Sequence, residues 1–196
     1  QRLMGGFEPT AENFRQLILP ADEEERRSKG TPYPFFLASP LEIHSLKDSE
    51  TNEWRVEWKW DGIRGQLIHR GHGTYLWSRG EELVNDSFPE LISLGAALPN
   101  GTVLDGEVIC WKENDPTPLG FDQLQRRLGR KQVSTSLKKE CPVRFIVYDL
   151  LEDNGEDIRG KPLHVRQQKL ADLVLNNDNA ERWCVKQREF YIVNCR

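Results

Sequence analysis

The chain has 196 residues, 37% of them hydrophobic and 30% charged, and carries a formal net charge of −4. That length suits one domain with a sizeable core, and no apolar run approaches the roughly 20 residues that cross a bilayer. The acidic balance excludes a uniformly basic nucleic-acid coat, while leaving room for a local positive groove.

In chain order, Thr10 can cap a short helix on which Phe14, Leu17 and Ile18 recur at helical spacing. The run from Ala21 to Gly30 has no apolar residue beyond alanine and reads as an exposed charged linker. From Trp54 to Trp60 apolar and polar residues alternate, the period of a half-buried strand. Trp54, Val56, Trp58 and Trp60 are expected to anchor one face in a core, and Arg55, Glu57 and Lys59 to share the other. Asp61-Gly62 supplies a tight turn, and Arg64 to Arg70 is expected to return antiparallel. His69 to Gly73 reads as a hairpin turn into a strand over Thr74–Arg79.

Ser87-Phe88-Pro89-Glu90 has the form of a capping box ahead of Leu91, Leu94 and Leu98. Further strands are expected at Thr102–Ile109 and Val143–Leu150. Between them Phe121, Leu124 and Leu128 mark a helix stopped by Gly129, and Leu170, Leu173 and Val174 mark a last one. Close hairpins mixed with helices give an α+β fold, antiparallel β-sheets flanked by helices, rather than a doubly wound one. Arg126, Arg127, Arg130, Lys131, Lys138 and Lys139 form a basic-rich stretch that is either a solvated helix face or a surface tracking a DNA backbone. Cys110, Cys141, Cys184 and Cys195 show no Cys-x-x-Cys spacing, which suggests neither a zinc site nor a disulfide framework. Reduced thiols in a cytoplasmic protein are the expectation. The four histidines are scattered, with no metal-ligand spacing.

The segment Glu57-Trp58-Lys59-Trp60-Asp61-Gly62-Ile63-Arg64 places a lysine, acids and an arginine around a glycine turn. Lysine is a nucleophile only without its ammonium proton, and nearby cations or desolvation favour that neutral form. Lys59 beside Arg64 therefore suits attack on a phosphate; the other reading of the octapeptide is a surface lysine on an edge hairpin. Val103, Asp105, Glu107 and Ile109 share one face of an alternating strand, so Glu107 can point into a cleft. Tyr148 lies opposite Phe145 and Val147, as core or as a platform for a base.

Lys-x-Asp-Gly-x-Arg at Lys59–Arg64 resembles the nucleophile motif of the covalent nucleotidyltransferases: ATP-dependent DNA ligases, RNA ligases and mRNA capping enzymes. Four further stretches are similar to that family's, in its order: Phe36-Leu37-Ala38-Ser39-Pro40, Tyr75-Leu76-Trp77-Ser78-Arg79-Gly80, Leu104-Asp105-Gly106-Glu107 and Phe145-Ile146-Val147-Tyr148-Asp149-Leu150-Leu151. The FDQLQRRLGR run at 121–130 and Asp157-Ile158-Arg159-Gly160-Lys161-Pro162-Leu163 with Arg166 resemble bacterial ATP-dependent DNA ligases. The resemblance covers about Pro34 to Leu173. It implies a nucleotidyltransferase (ATP-grasp-like) adenylation domain acting with ATP and Mg²⁺ on nicked double-stranded DNA, as a monomer. Laid on matching positions, it implies that Lys59 attacks the α-phosphate and that Glu57 lies at the adenine end. Arg64 would contact the nucleotide sugar or the DNA 5′-phosphate, with Arg79 in the phosphate-binding set. Glu107 would hold the ribose hydroxyl or a metal ion, and Tyr148 would stack on adenine.

The family's Glu-Gly-x-x-x-Lys strand, its later lysine pair and its oligonucleotide-binding domain find no match after Leu173. Arg2 to Phe7 resembles the last turn of a helical DNA-binding domain. The expected division is therefore 1–30, the end of such a domain plus the linker, and 31–196, an incomplete adenylation domain whose activity in isolation is expected to be very weak or absent. An RNA ligase, a capping-type enzyme and a non-catalytic nucleotide- or DNA-binding piece stay open as alternatives.

Overall fold

The structure, a computed structural model, describes residues 30–37, 40, 57–71 and 73–175, the pairs 54–55, 183–184 and 193–194, and single positions 10, 11, 15 and 44. The expected N-terminal helix and linker lie outside the described residues, save for those single positions.

The described residues are organised by an antiparallel sheet of β2 (Ile63–Arg70), β3 (Gly73–Ser78), β4 (Thr102–Cys110), β5 (Val143–Asp153) and β6 (Glu156–Asp157), in the order β3-β2-β4-β5-β6. A short β7 (Trp183–Cys184) runs parallel to β5, and β1 (Trp54–Arg55) pairs apart with β8 (Val193–Asn194). Gly71, at φ 59°, takes the left-handed backbone that the β2–β3 turn needs. Alternation then sorts each strand by face. Leu67, Leu76, Leu104, Val108 and Phe145 point into the main core, while Ile68, Trp77, Val103 and Leu151 form a second cluster on the other side. Four helices are described: α1 (Pro89–Gly95), α2 (Phe121–Gln125), α3 (Thr135–Glu140) and α4 (Leu163–Leu175). Leu91, Leu94, Leu124, Leu137, Leu170 and Val174 bring all four onto the main core. The α+β architecture with an antiparallel sheet is as the sequence implies.

Several local expectations are corrected. Of the expected strand over Trp54–Trp60, Trp54–Arg55 forms β1, and residues 57–60 run outside any ladder. The expected hairpin with β2 does not form, because β3 and β4 already occupy both edges of β2. Trp58 is accordingly 49% exposed rather than a core anchor, and Trp60 packs between Trp58 and Trp111, with ring centroids 6.3 and 5.5 Å apart. No capping box forms at Ser87, which ends a 3₁₀ turn (Asn85–Ser87) and leaves Phe88 as the N-cap of α1 without a side-chain cap. Glu90 turns instead to Arg127, a fully buried guanidinium, at 2.5 and 2.7 Å. The Phe121 helix stops as an α-helix at Gln125 and continues as turns to Gly129, whose φ of 68° ends it. Ser134, whose hydroxyl accepts from the Leu137 N–H, starts an additional helix, α3.

Free thiols are not what the structure shows at two positions. Cys110, at the end of β4, is joined by a disulfide to Cys141, just past α3, across a sequence separation of 31 and a Cα–Cα distance of 5.5 Å. Both residues are buried in the main core, and the intervening chain makes the excursion that carries α2 and α3.

Candidate active site

The second face of the sheet carries the polar residues. On β2 the even positions Arg64, Gln66, Ile68 and Arg70 share it; on β4 it holds Asp105 and Glu107. Antiparallel pairing sets Arg64 opposite Glu107 and Gln66 opposite Asp105. From there the Arg64 guanidinium reaches diagonally to Asp105 with two parallel bonds, Nε to Oδ1 and Nη2 to Oδ2, both 2.8 Å. This fork is the strong geometry for an arginine and a carboxylate, and it holds the Arg64 guanidinium above its ordinary pKa.

Tyr148 joins them through an irregularity in β5. Asp149 stands opposite Asp105 and Val147 opposite Gly106, so Tyr148 is the extra residue of a β-bulge. The bulge lets Val147 and Leu150 both enter the main core while Tyr148 faces Arg64, whose Cζ lies 5.3 Å from the ring centroid. The Tyr148 hydroxyl donates to Glu107 Oε2 at 3.3 Å. Burial, reinforced by the Glu107 charge, pushes the phenol well above its usual range. Glu107 is itself pushed up to about 7, because burial outweighs the Tyr148 hydrogen bond and the Arg64 charge. Behind the bulge, α4 fixes the strand. Arg166 donates to both oxygens of Asp149 at 2.9 to 3.1 Å, and the Gln167 amide donates to the Tyr148 carbonyl. Burial raises Asp149 despite that arginine.

Gly62 ties the Lys59 segment to this cluster. A Cβ there would lie 2.2 Å from the Val108 carbonyl and 2.9 Å from Glu107 Cγ. Only glycine lets the two backbones approach this closely. Lys59, three positions earlier, is exposed, and among the described residues its amine forms no hydrogen bond or ion pair. The structure thus brings Arg64, Glu107 and Tyr148 together and leaves Lys59 exposed, with no hydrogen bond to any of them. Glu57 is half-buried. Arg79 has an exposed side chain, but its N–H donates to the Arg64 carbonyl at 2.8 Å, which fixes its backbone next to the cluster.

Three participants, Asp105, Arg166 and Gln167, were not singled out as site residues from the sequence. Asp105 lies two positions before Glu107 on the same strand face, a signal that was legible in the alternation. Arg166 and Gln167 act across a long sequence interval, for which a single sequence carries no local sign. Among the described residues no group of three or more His, Cys, Asp or Glu side chains could hold a metal ion by itself, and no helix is long and apolar enough to cross a membrane.

One face of the sheet thus presents a forked arginine, a carboxylate pushed up to about 7 and a tyrosine, and comparison with known proteins identifies the family. The family model described as the ATP dependent DNA ligase domain matches residues 35–193. A probable DNA ligase of Koribacter versatilis is 37% identical over 139 residues, covering 71% of this chain and 24% of that protein. A DNA ligase of Sulfolobus acidocaldarius is 30% identical over 125 residues, covering 63% and 21%. Among solved structures, the ligase domain of M. tuberculosis LigD superposes with a TM-score of 0.52 at 28% identity, over 65% of this chain and 39% of that one. A mycobacterial DNA ligase D complexed with ATP and MES gives the same TM-score at 27% identity, over 65% and 38%. The chain belongs to the ATP-dependent DNA ligase domain family. It spans about a quarter of the length of the curated relatives it matches.

Proposed function

We propose that this chain is the adenylation core of an ATP-dependent DNA ligase. Lys59 Nζ attacks the α-phosphorus of ATP; the bond from that phosphorus to the bridging oxygen breaks, pyrophosphate leaves, and the amine loses its proton as AMP becomes a lysyl phosphoramidate. AMP then passes to the 5′-phosphate at a nick, and the 3′-hydroxyl displaces it to seal the strand. The observation that carries this reading is the convergence of Arg64, Glu107 and Tyr148, with the backbone of Gly62, three residues after Lys59, packed closely against Glu107 and Val108.

Each residue has a role that fits its surroundings. Tyr148, backed by Gln167 on its carbonyl, offers a ring face for adenine; base–aromatic stacking contributes about 1–3 kcal/mol. Glu57 serves the adenine end of the same pocket. Arg64, already oriented by Asp105, and Arg79 beside it supply positive charge for phosphates or for the nucleotide sugar. Glu107 binds the ribose hydroxyl or Mg²⁺. A carboxylate set of this kind fits Mg²⁺, which usually binds through one or two carboxylates together with substrate phosphates; when bound, it neutralises charge on the phosphates. In this reading residues 31–196 belong to the adenylation domain, and ATP and nicked duplex DNA are its substrates.

The test is incubation of the full-length protein with α-labelled ATP and Mg²⁺, followed by denaturing electrophoresis. An acid-labile protein–AMP band is expected from the wild type and none from Lys59→Ala. A band of equal intensity in Lys59→Ala removes the nucleophile. Sealing of nicked DNA rather than nicked RNA, and ATP rather than GTP as donor, separate this reading from an RNA ligase and a capping-type enzyme.

A further inference from the structure

The stretch between Gly120 and Cys141 holds six basic residues against two acidic ones, Asp122 and Glu140, in a chain whose net charge is −4. Arg127 is committed to the interior: besides Glu90 it donates to the Ser87 and Cys141 carbonyls, each at 3.0 Å, and its guanidinium lies over the Phe88 ring. Of the other five, Arg126, Arg130, Lys131 and Lys139 are exposed and Lys138 is half-buried.

Folding gathers these charges. Arg126 donates to Glu140 at 2.6 Å, joining α2 to the end of α3, and Arg130 Nε donates to the Arg126 carbonyl at 2.6 Å. Lys138 and Lys139 directly precede Glu140 on α3. Among the described residues Lys131, Lys138 and Lys139 form no ion pair. The element beneath is stiff, held by Arg127, by the Cys110–Cys141 bond and by buried Leu124, Val133 and Leu137. Its aromatic residue, Phe121, packs on the main core, so it offers no ring on which an unpaired base could stack. Its root is next to the candidate nucleophile: Trp111, which opens the excursion, packs 5.5 Å from Trp60, the neighbour of Lys59.

Concentrated like charge on a rigid surface raises the energy of the free protein and is relieved by a polyanion, whose condensed counterions are released on binding. We propose that the α2–α3 element is a dock for the sugar-phosphate backbone of duplex DNA, with Arg126, Arg130, Lys131, Lys138 and Lys139 contacting phosphates beside the nick and leading the duplex toward Lys59. The dock rests on the nick-sealing reading above.

The experiment uses full-length protein and a fluorescently labelled nicked duplex, with binding followed by anisotropy between about 50 and 200 mM salt. Two variants, Arg130→Gln/Lys131→Gln and Lys138→Gln/Lys139→Gln, each remove two charges. A third, Lys161→Gln/Lys169→Gln, removes the same charge at residues paired with Glu156 and Asp153. Each dock variant is expected to bind severalfold more weakly and to lower the slope of log affinity against log salt by about 1 per lost phosphate contact, while forming the AMP adduct as wild type does. Wild-type slopes in both dock variants, or an equal change in the Lys161/Lys169 variant, overturn the proposal. A protein that forms the adduct yet does not hold the nicked duplex overturns the dock and leaves the nucleotide chemistry standing. Binding through these residues without any adduct supports the dock and overturns the catalytic reading.

Discussion

Glu107 is held where it prefers its proton. Burial raises it from an ordinary 4.5 to about 7, so between those values the native protein binds a proton that the unfolded chain does not. Native stability therefore falls as pH rises through that window, and the full penalty persists above it. Glu107→Gln, which keeps the shape and removes the charge, is expected to be more stable than wild type at pH 8. The gain is on the order of 1–2 kcal/mol after allowance for solvent screening, and it vanishes toward pH 4.5. Thermal melts of both proteins across that range check it, and equal midpoints at pH 8 contradict it. The same variant is expected to lose AMP-adduct formation, a trade of stability for function common where a site holds a destabilised group. At this scale the sequence was informative about identity and weaker about geometry. The motif spacing picked out Arg64, Glu107 and Tyr148, which do converge. It left a surface position for Lys59 open, and it did not reveal that Asp105 forks Arg64, which depends on contacts between strands rather than on position within one.

Elements were legible where a strand or helix buries a periodic face, and less so where tertiary partners decide. The alternation of β2, β3, β4 and β5 predicts strands close to those observed, and Leu91, Leu94, Leu170 and Val174 mark real helices. Trp54–Trp60 has the same alternation, yet most of it stays outside the sheet because β2 has no free edge to offer. At α1, Ser87 and Glu90 have the local pattern of a cap, but the long-range demand of buried Arg127 captures Glu90. A buried ion pair of this kind is much costlier to break than to replace by apolar side chains. Glu90→Ala is therefore expected to destabilise the protein by about 3 kcal/mol, because it strands a guanidinium that is 0% exposed. Arg127→Met paired with Glu90→Leu is expected to recover much of that loss. Urea unfolding of the three proteins measures it; a double variant no more stable than Glu90→Ala would show that packing, not the stranded charge, dominates.

Among the described residues, the main core lies between the sheet and its helices, and the opposite face carries two polar clusters alongside the apolar group of Ile68, Trp77, Val103 and Leu151. One is the Arg64, Asp105, Glu107 and Tyr148 site. The other is a clasp that fastens residues 30–33 across the far end of the same face. Trp77 Nε1 donates to the Gly30 carbonyl at 2.8 Å, Arg70 to the Thr31 carbonyl at 3.0 Å, and the Tyr33 N–H to Gln66 Oε1 at 2.8 Å. The Tyr33 ring is flanked by Arg159 and Arg70, 3.8 and 5.1 Å from its centroid, and its hydroxyl donates to Glu152 at 2.6 Å. Burial, together with that carboxylate, raises the phenol to about 12. Glu152 is also forked by Arg70 at 3.1 and 2.6 Å, so a buried network spans β2, β5 and the incoming chain. Aromatic packing and charge compensation both depend on Tyr33. Tyr33→Ala is expected to cost about 3–5 kcal/mol, whereas Tyr33→Phe, which keeps the ring between the two arginines and leaves Glu152 its Arg70 fork, costs about 1 kcal/mol. Since the Tyr33 ring and hydroxyl engage Arg70, Arg159 and Glu152, at the opposite end of β2 from Arg64, neither variant should change AMP-adduct formation at temperatures where it remains folded. Denaturant midpoints and adduct yields measured on the same preparations test both halves of this expectation. An adduct yield that falls in parallel with stability, well below the unfolding transition, would mean that the two clusters form one cooperative unit and that seating residues 30–33 sets the geometry at Glu107.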